Sequence, residues 1–182
     1  MVCLTKTALY VGRFQPFHLG HLEAISHILS KVDLLVLGVG SAQYSHTLEN
    51  PFTAGERVTM IRLALNEAGV DASRYHIIPI EDVNIHSLWV SQVRLLTPRF
   101  EVVFSNEPLT RTLFREAGFV VEAIPFFSRA EYSATEVRRR MVEGEEWKPL
   151  VPLAVAKYIE EIDGIARIRA LTKSDKLSGQ AE

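Results

Sequence analysis

The chain has 182 residues, 47% hydrophobic and 23% charged, with a formal net charge of -2. This supports one domain with a core of ordinary size and excludes disordered and collagen-like chains. The longest apolar run, 34–39, is strand-sized and far below the roughly 18 residues of a membrane span. Residues 1–6 carry no sign of a secretory signal, so a cytoplasmic protein is expected. The single cysteine, Cys3, can form no internal disulfide and has no thiol neighbours for a zinc cage. A pI near 6.3 argues against a broad nucleic-acid surface, so a polyanion site has to be a local cluster of positive groups.

In chain order, β-branched and apolar runs predict strands at 7–11, 34–40, 76–80, 102–105 and 120–125. Helical patterns lie between and after them. Residues 21–32 put Leu22, Ile25, Ile28, Leu29 and Val32 on one face, and 54–68 do the same with Val58, Ile61, Leu65 and Ala68. Further helices fit 87–96, 109–117, 135–142 and 152–162. Thr53 with Glu56 and Ser133 with Glu136 have the spacing of reciprocal helix caps, and Gly69 and Gly118 stand where left-handed closing residues are expected. Alternating strands and helices predict parallel strands with right-handed crossovers. The expected fold is an α/β, Rossmann-like three-layer sandwich with a mostly parallel sheet of five or six strands. It forms a single domain over 1–171, with 172–182, which lacks an apolar face, as a flexible tail.

The most informative segment is Gly12-Arg13-Phe14-Gln15-Pro16-Phe17-His18-Leu19-Gly20-His21, between the first strand and first helix. Ligands of open parallel sheets bind beyond the carboxyl ends of strands. Gly12 lets backbone approach a ligand, Gly20 leaves space in the first turn, and the free N–H groups of that turn favour an anion. His18 and His21, three apart, place both imidazoles on one side, and Arg13 adds a planar cationic fork. An isolated His-x-Gly-His reads more simply as a capping histidine, a surface histidine and a glycine relieving crowding. Zinc is a poor alternative because no further ligands stand at a convincing spacing. No P-loop is present, and Gly38-Val39-Gly40 lacks the third glycine of a dinucleotide fingerprint.

The segment resembles the signature of the His-x-Gly-His nucleotidyltransferase superfamily. Gly40-Ser41-Ala42-Gln43, Asn50-Pro51-Phe52-Thr53-Ala54-Gly55-Glu56-Arg57 and the block from Tyr132 to Met141 narrow the resemblance to the archaeal-type nicotinamide-nucleotide adenylyltransferases, over roughly residues 7 to 165. The resemblance implies formation of NAD and pyrophosphate from ATP and nicotinamide mononucleotide (NMN). The phosphate of NMN attacks the α-phosphorus in line, so alignment and charge stabilisation replace a protein nucleophile. It further implies ATP binding by Gly12, Arg13, Phe14, His18, Gly20, His21, Ser133, Thr135 and Arg138, with His21, Arg138 and His18 catalytic. Arg139 and Arg140 are not carried over, because consecutive helical residues cannot all point one way. Mg2+ is expected on the phosphates, with no protein ligand assigned. NMN binding is implied for Ser41, Gln43, Asp82, His86 and Trp89, the indole stacking on nicotinamide; by pattern alone Trp89 reads as core.

Two positions depart from the family's pattern: Glu49 stands where a basic residue is common, and His86 where an asparagine is. Glu49 should repel phosphate, so either another residue has taken over that contact or its loop contributes little. The partners expected are ATP and NMN, without nucleic acid or membrane, and the resemblance implies a closed homo-oligomer, a hexamer among the candidates. Two rivals stay open at this level. One is another adenylyl- or cytidylyltransferase, acting on pantetheine, riboflavin or alcohol phosphates; the other is a non-catalytic nucleotide sensor.

Overall fold

Five apolar segments pair into one parallel sheet: β1 (Thr7–Gly12), β2 (Leu34–Val39), β3 (Tyr75–Pro79), β4 (Val102–Phe104) and β5 (Val120–Glu122), in the order β3-β2-β1-β4-β5. Parallel neighbours need crossovers, and four helices supply them: α1 (Leu19–Leu29), α2 (Ala54–Glu67), α3 (His86–Leu96) and α4 (Pro108–Glu116). After β5 come α5 (Ala134–Glu143), α6 (Leu153–Glu161) and α7 (Gly164–Ser178). The computed structural model describes residues 6–125 and 132–178; Cys3 and the last residues of the expected tail, 179–182, lie outside them.

Strand side chains alternate between two cores. Ala8, Leu35, Leu37, Val39 and Phe104 join residues of α1, α2, α5 and α6, while Leu9, Val36 and Val103 pack against Val90, Val93 and Phe114 of α3 and α4. Leu9 pairs in register with Val36 on one side and Val103 on the other, so three neighbouring strands present one apolar row. Both faces of the sheet are covered, which gives the expected three layers and explains the nearly continuous apolar strands. The chain runs outward from β1 to β2 and β3, then crosses back to place β4 on the other side of β1. The loops after β1 and β4 therefore open a crevice at the carboxyl ends of the sheet.

Several boundaries differ from the sequence reading, each for a local reason. The first helix begins at Leu19 with His18 as its N-cap and ends at Leu29, because the Asp33 and Leu34 N–H groups already donate to the Lys6 carbonyl where β2 begins. β5 stops at Glu122 because the Asn106 side chain takes both the N–H (3.0 Å) and the carbonyl (2.7 Å) of Ile124. The Thr53–Glu56 cap is reciprocal, at 3.2 and 2.8 Å. The Ser133–Glu136 cap is only half made: Ser133 Oγ accepts from the Glu136 N–H, but the Glu136 carboxylate turns to Arg139 and Arg140. Gly69 and Gly118 have φ of 70° and 83°. The chain from Thr172, read as a tail, continues α7 to Ser178. That helix is held at its start, where Ile168 enters the core with Ile165 packed beside it, Arg167 forks onto Glu56 at 2.7 and 2.8 Å, and Arg169 donates to the Met141 carbonyl.

Candidate active site

The loop after β1 is folded back on its own aromatic side chains. Phe14 has a φ of 51°. That conformation is costly for a residue with a side chain, and the buried ring compensates by packing edge-on to Tyr10 and stacking on Phe17. A Cβ on Gly12 would lie 2.9 Å from that ring, so glycine is what allows the ring beneath the loop. Phe14 can therefore offer a ligand only backbone. Gln15, also buried, exchanges both amide atoms with the Phe52 backbone at 2.9 and 3.0 Å. Two guanidiniums complete the support: Arg57 donates to the Arg13 carbonyl (2.9 Å) and Arg138 to the Gln15 carbonyl (2.7 Å).

His18 and His21 come together as expected, their rings stacked with centroids 3.6 Å apart. The His18 N–H donates to His21 Nδ1 at 3.2 Å. In a neutral ring this leaves the proton on Nε2. Burial pulls His18 down to about 4, and burial followed by the adjacent His18 holds His21 well below the ordinary histidine range. Both rings are thus neutral at pH 7, which permits the stack and makes each a donor without net charge. His18 Nδ1 is buried and has no hydrogen-bond partner among the described residues. Gly20 has a steric duty: a Cβ there would meet Tyr132 Cβ at 3.1 Å and His18 Nδ1 at 3.2 Å. The histidines line a cleft of about 290 Å³ with Ser105, Asn106, Ile124 and Ser133, at the crevice between β1 and β4.

The cationic groups divide as the helix geometry requires. Arg138 is half-buried against the β1 loop, its pKa lowered by burial and then by the charge of Arg13. Arg139 is bound to Glu136, Glu143 and Glu145, and Arg140 to Glu136 and the Glu146 carbonyl, away from that loop. Arg13 is more than half exposed and makes a 3.7 Å ion pair with Glu49. Ser133 caps α5 at the cleft wall, beside first-turn N–H groups that a helix cannot pair internally. Thr135, in the same turn, is exposed and outside the cleft lining.

The remaining sequence candidates gather at a second pocket of about 250 Å³, walled by Asp82, Val83, His86, Trp89, Leu109 and Leu113. Ser41, at φ 52°, donates its N–H (3.3 Å) and Oγ–H (2.7 Å) to the Asp82 carboxylate. Gln43 pairs with the Asp82 backbone in both directions, at 3.2 and 3.0 Å. His86 opens α3 and is exposed; Trp89, one turn on, is half-buried and packs edge-to-face on Phe114 at 5.5 Å. Trp89 is thus both core margin and pocket wall. Gln15, Arg57 and Asn106 were not singled out from sequence. Only Arg57 left a signal, a charged residue on the buried stripe of α2 that continues through Met60, Ile61 and Ala64. No group of three His, Cys, Asp or Glu able to hold a metal occurs among the described residues, and none of their helices is long and apolar enough to cross a membrane.

Comparison with known proteins adds an independent line. The cytidylyltransferase-like family profile matches residues 9–140. The nicotinamide-nucleotide adenylyltransferase of Methanolobus tindarius is 51% identical over 94% of this chain and 97% of its own. That of Archaeoglobus fulgidus is 53% identical over 92% and 98%. Among solved structures, a bifunctional NMN adenylyltransferase/ADP ribose pyrophosphatase from Francisella tularensis superposes with a TM-score of 0.77 at 20% identity, covering 98% of this chain and 58% of that one. A second structure of that protein, complexed with AMP and a manganese ion, gives 0.75 at 21% identity over 98% and 57%. At such identities the likeness speaks for the fold.

Proposed function

The chain belongs to the cytidylyltransferase-like family and, within it, to the nicotinamide-nucleotide adenylyltransferases; from that premise we propose how it transfers the adenylyl group of ATP to NMN, giving NAD and pyrophosphate. A phosphate oxygen of NMN bonds to the α-phosphorus as the α–β bridging bond breaks and pyrophosphate leaves. The attacking phosphate is already anionic, so the protein needs neither a nucleophile nor a strong base. Its task is to align two anions and stabilise the charge that develops.

The observation that carries this reading is the stacked, neutral histidine pair at the start of α1, facing the first turn of α5 across one cleft. His21, with its proton on Nε2, donates to an α-phosphate oxygen as charge accumulates there; His18 lies against the same phosphate chain. Arg13 and Arg138 take the β- and γ-phosphates, and Ser133 with the α5 N-terminus receives the leaving pyrophosphate. Gly12, Phe14 and Gly20 bring backbone close, and Thr135 contributes through its backbone at the first turn. NMN occupies the second pocket, its ring on Trp89 and its polar edge toward Asp82 and His86, with Ser41 and Gln43 holding Asp82 in place. A divalent ion, Mg2+, supplies charge screening on the triphosphate; oxygen ligands from phosphate and water suit it, and the chain offers no three-ligand cage among its described residues.

The enzyme works in the cytoplasm as a homo-oligomer, a hexamer among the closed forms. Association is supported by Ile85, Leu88 and Leu95, which are 58%, 53% and 84% exposed. From the N-cap Ile85 they fall at spacings of three and seven along one side of α3, and large exposed apolar side chains sharing a face suit an interaction surface. Light scattering of a Leu88→Glu/Leu95→Glu variant tests it, a parent of monomeric mass counting against it. The function itself is tested by pyrophosphate release from ATP and Mg2+ with a panel of acceptors. NMN should be turned over, whereas pantetheine phosphate, riboflavin phosphate and alcohol phosphates should not; turnover of one of those in its place would move the chain to another branch of the superfamily.

A further inference from the structure

Arg57 is a fully buried, charged side chain with an unusual set of partners. Its Nη1 donates to the carbonyls of Arg13 (2.9 Å) and Gly40 (2.7 Å), Nη2 to that of Ser41 (3.1 Å), and Nε to that of Thr53 (3.3 Å). These acceptors are main-chain carbonyls, whereas a buried guanidinium ordinarily pairs with a carboxylate. They come from two different loops: Arg13 from the turn after β1, Gly40 and Ser41 from the turn after β2. The Gly40 N–H adds a further link, donating to the Gly12 carbonyl at 3.0 Å. Ser41 is held from both ends, its carbonyl by Arg57 and its N–H and hydroxyl by Asp82. This fixes a φ of 52°. A serine adopts that conformation only when its surroundings constrain it.

We propose that Arg57 is a positioning residue for adenylyl transfer, joining the loop that meets the triphosphate and the loop that holds Asp82 at the mononucleotide pocket into one preset unit. Arg57 lines neither pocket, so it acts through the carbonyls it binds. Its charge matters as well. Burial lowers its pKa to about 10, the Asp82 charge acting the other way, so the guanidinium remains a fixed cation beneath both loops at neutral pH. The proposal rests on these loops being the substrate loops. A parent enzyme that makes NAD from ATP and NMN upholds that reading whatever Arg57 does, so the two ideas fail separately.

Arg57→Lys keeps the charge but cannot reproduce a planar fork serving four carbonyls. With melting curves showing the variant folded at the assay temperature, calorimetric Kd values for NMN alone and for ATP alone should each weaken about tenfold, because loosened loops no longer present aligned groups. In the parent, Ser41→Ala should weaken NMN several-fold; in the Arg57→Lys background it should add about twofold or less, since both changes cut one chain of contacts. An arginine that merely supports the fold would lower the melting temperature and leave both Kd values of the folded variant unchanged. That result, or fully additive effects of Ser41→Ala and Arg57→Lys, overturns the proposal. Should Arg57→Lys fail to fold, hydrogen exchange of the Arg57 guanidinium, followed by NMR in the parent enzyme, decides the matter. Slowing by ATP alone and by NMN alone supports the coupling, and no slowing by either one removes it.

Discussion

The two regions proposed for the substrates, one for the triphosphate and one for the mononucleotide, are built in opposite ways. The triphosphate side is set from beneath: Phe14, Gln15, Phe17 and Arg57 are buried, and the loop's carbonyls are held by guanidiniums from α2 and α5. The mononucleotide side is set from its rim. Asp82 and His86 are exposed, Trp89 is half-buried, and the segment that carries Asp82 is held by the side chains of Ser41, Gln43 and Gln92. The difference follows from the chemistry required. Charge that builds on phosphorus is best met by dipoles that need not reorganise. A pyridine ring needs a flat apolar surface and a few polar contacts, which the exposed start of a helix can offer.

The comparison is most severely tested at His21, where the largest effect is expected. His21→Ala removes a donor aimed at the developing α-phosphate charge, so kcat should fall by about 100- to 1000-fold. ATP binding, which rests on the arginines and on backbone, should stay within about threefold. Single-turnover rates and ATP isotherms measure the two separately. An unchanged chemical step would leave the stacked histidines as a structural pair.

Next in size is the contrast within the arginine run. Arg138→Lys loses a fork that reaches the β1 loop and is proposed to take phosphate oxygens, and kcat/KM should drop about tenfold or more. Arg140→Lys disturbs a partly exposed pair with Glu136, an interaction worth about 0–1 kcal/mol, and should stay within about twofold. Equal, small losses would reduce Arg138 to one more member of a solvated basic face. On the mononucleotide side, Trp89→Phe should keep most activity, while Trp89→Leu should weaken NMN binding about tenfold, a stacked base being worth about 1–3 kcal/mol. ATP binding to the leucine variant should be nearly unchanged. If both substrates weaken together with the melting temperature, the edge contact with Phe114 is the indole's whole role.

The same division governs what could be read from sequence. Strand count, layer order and the pairing of His18 with His21 were legible because they depend on periodicity and short spacing. Helix α7 was not, because what holds it, Ile168 in the core and Arg167 and Arg169 on polar groups, depends on distant segments. The site showed a parallel limit: the residues proposed to face ligands fell in recognisable blocks, whereas those that hold the blocks in place did not. Gln15 had no role assigned from the motif, yet its amide is satisfied by Phe52, 37 residues away. Asn106 ends β5 by binding Ile124, which no local pattern announces. Phe14, expected at the ATP site, has its ring buried beneath the loop, which leaves its backbone for that role.

The smallest expected effect concerns Glu49, the acid in a cationic setting. Sequence reasoning made it a source of repulsion toward phosphate. In the structure it engages Arg13 at 3.7 Å, and its charge also reaches Arg138. A phosphate on Arg13 therefore has to share its guanidinium with an internal anion. The two side chains are 57% and 81% exposed. Solvent therefore weakens the pair to about 0–1 kcal/mol, at most about fivefold in an equilibrium constant. Glu49→Gln should accordingly lower the KM for ATP by about two- to fivefold at low salt and leave kcat nearly unchanged. The gain should fade near 1 M salt, where the screening length shrinks to about 3 Å. The KM for NMN, read in the same assays, should stay constant, because the pocket around Asp82 and Trp89 lacks Glu49 in its wall. A rise in the KM for ATP would reverse the assignment: Glu49 would then orient Arg13 for the triphosphate, and the preset side of the site would extend to its exposed rim.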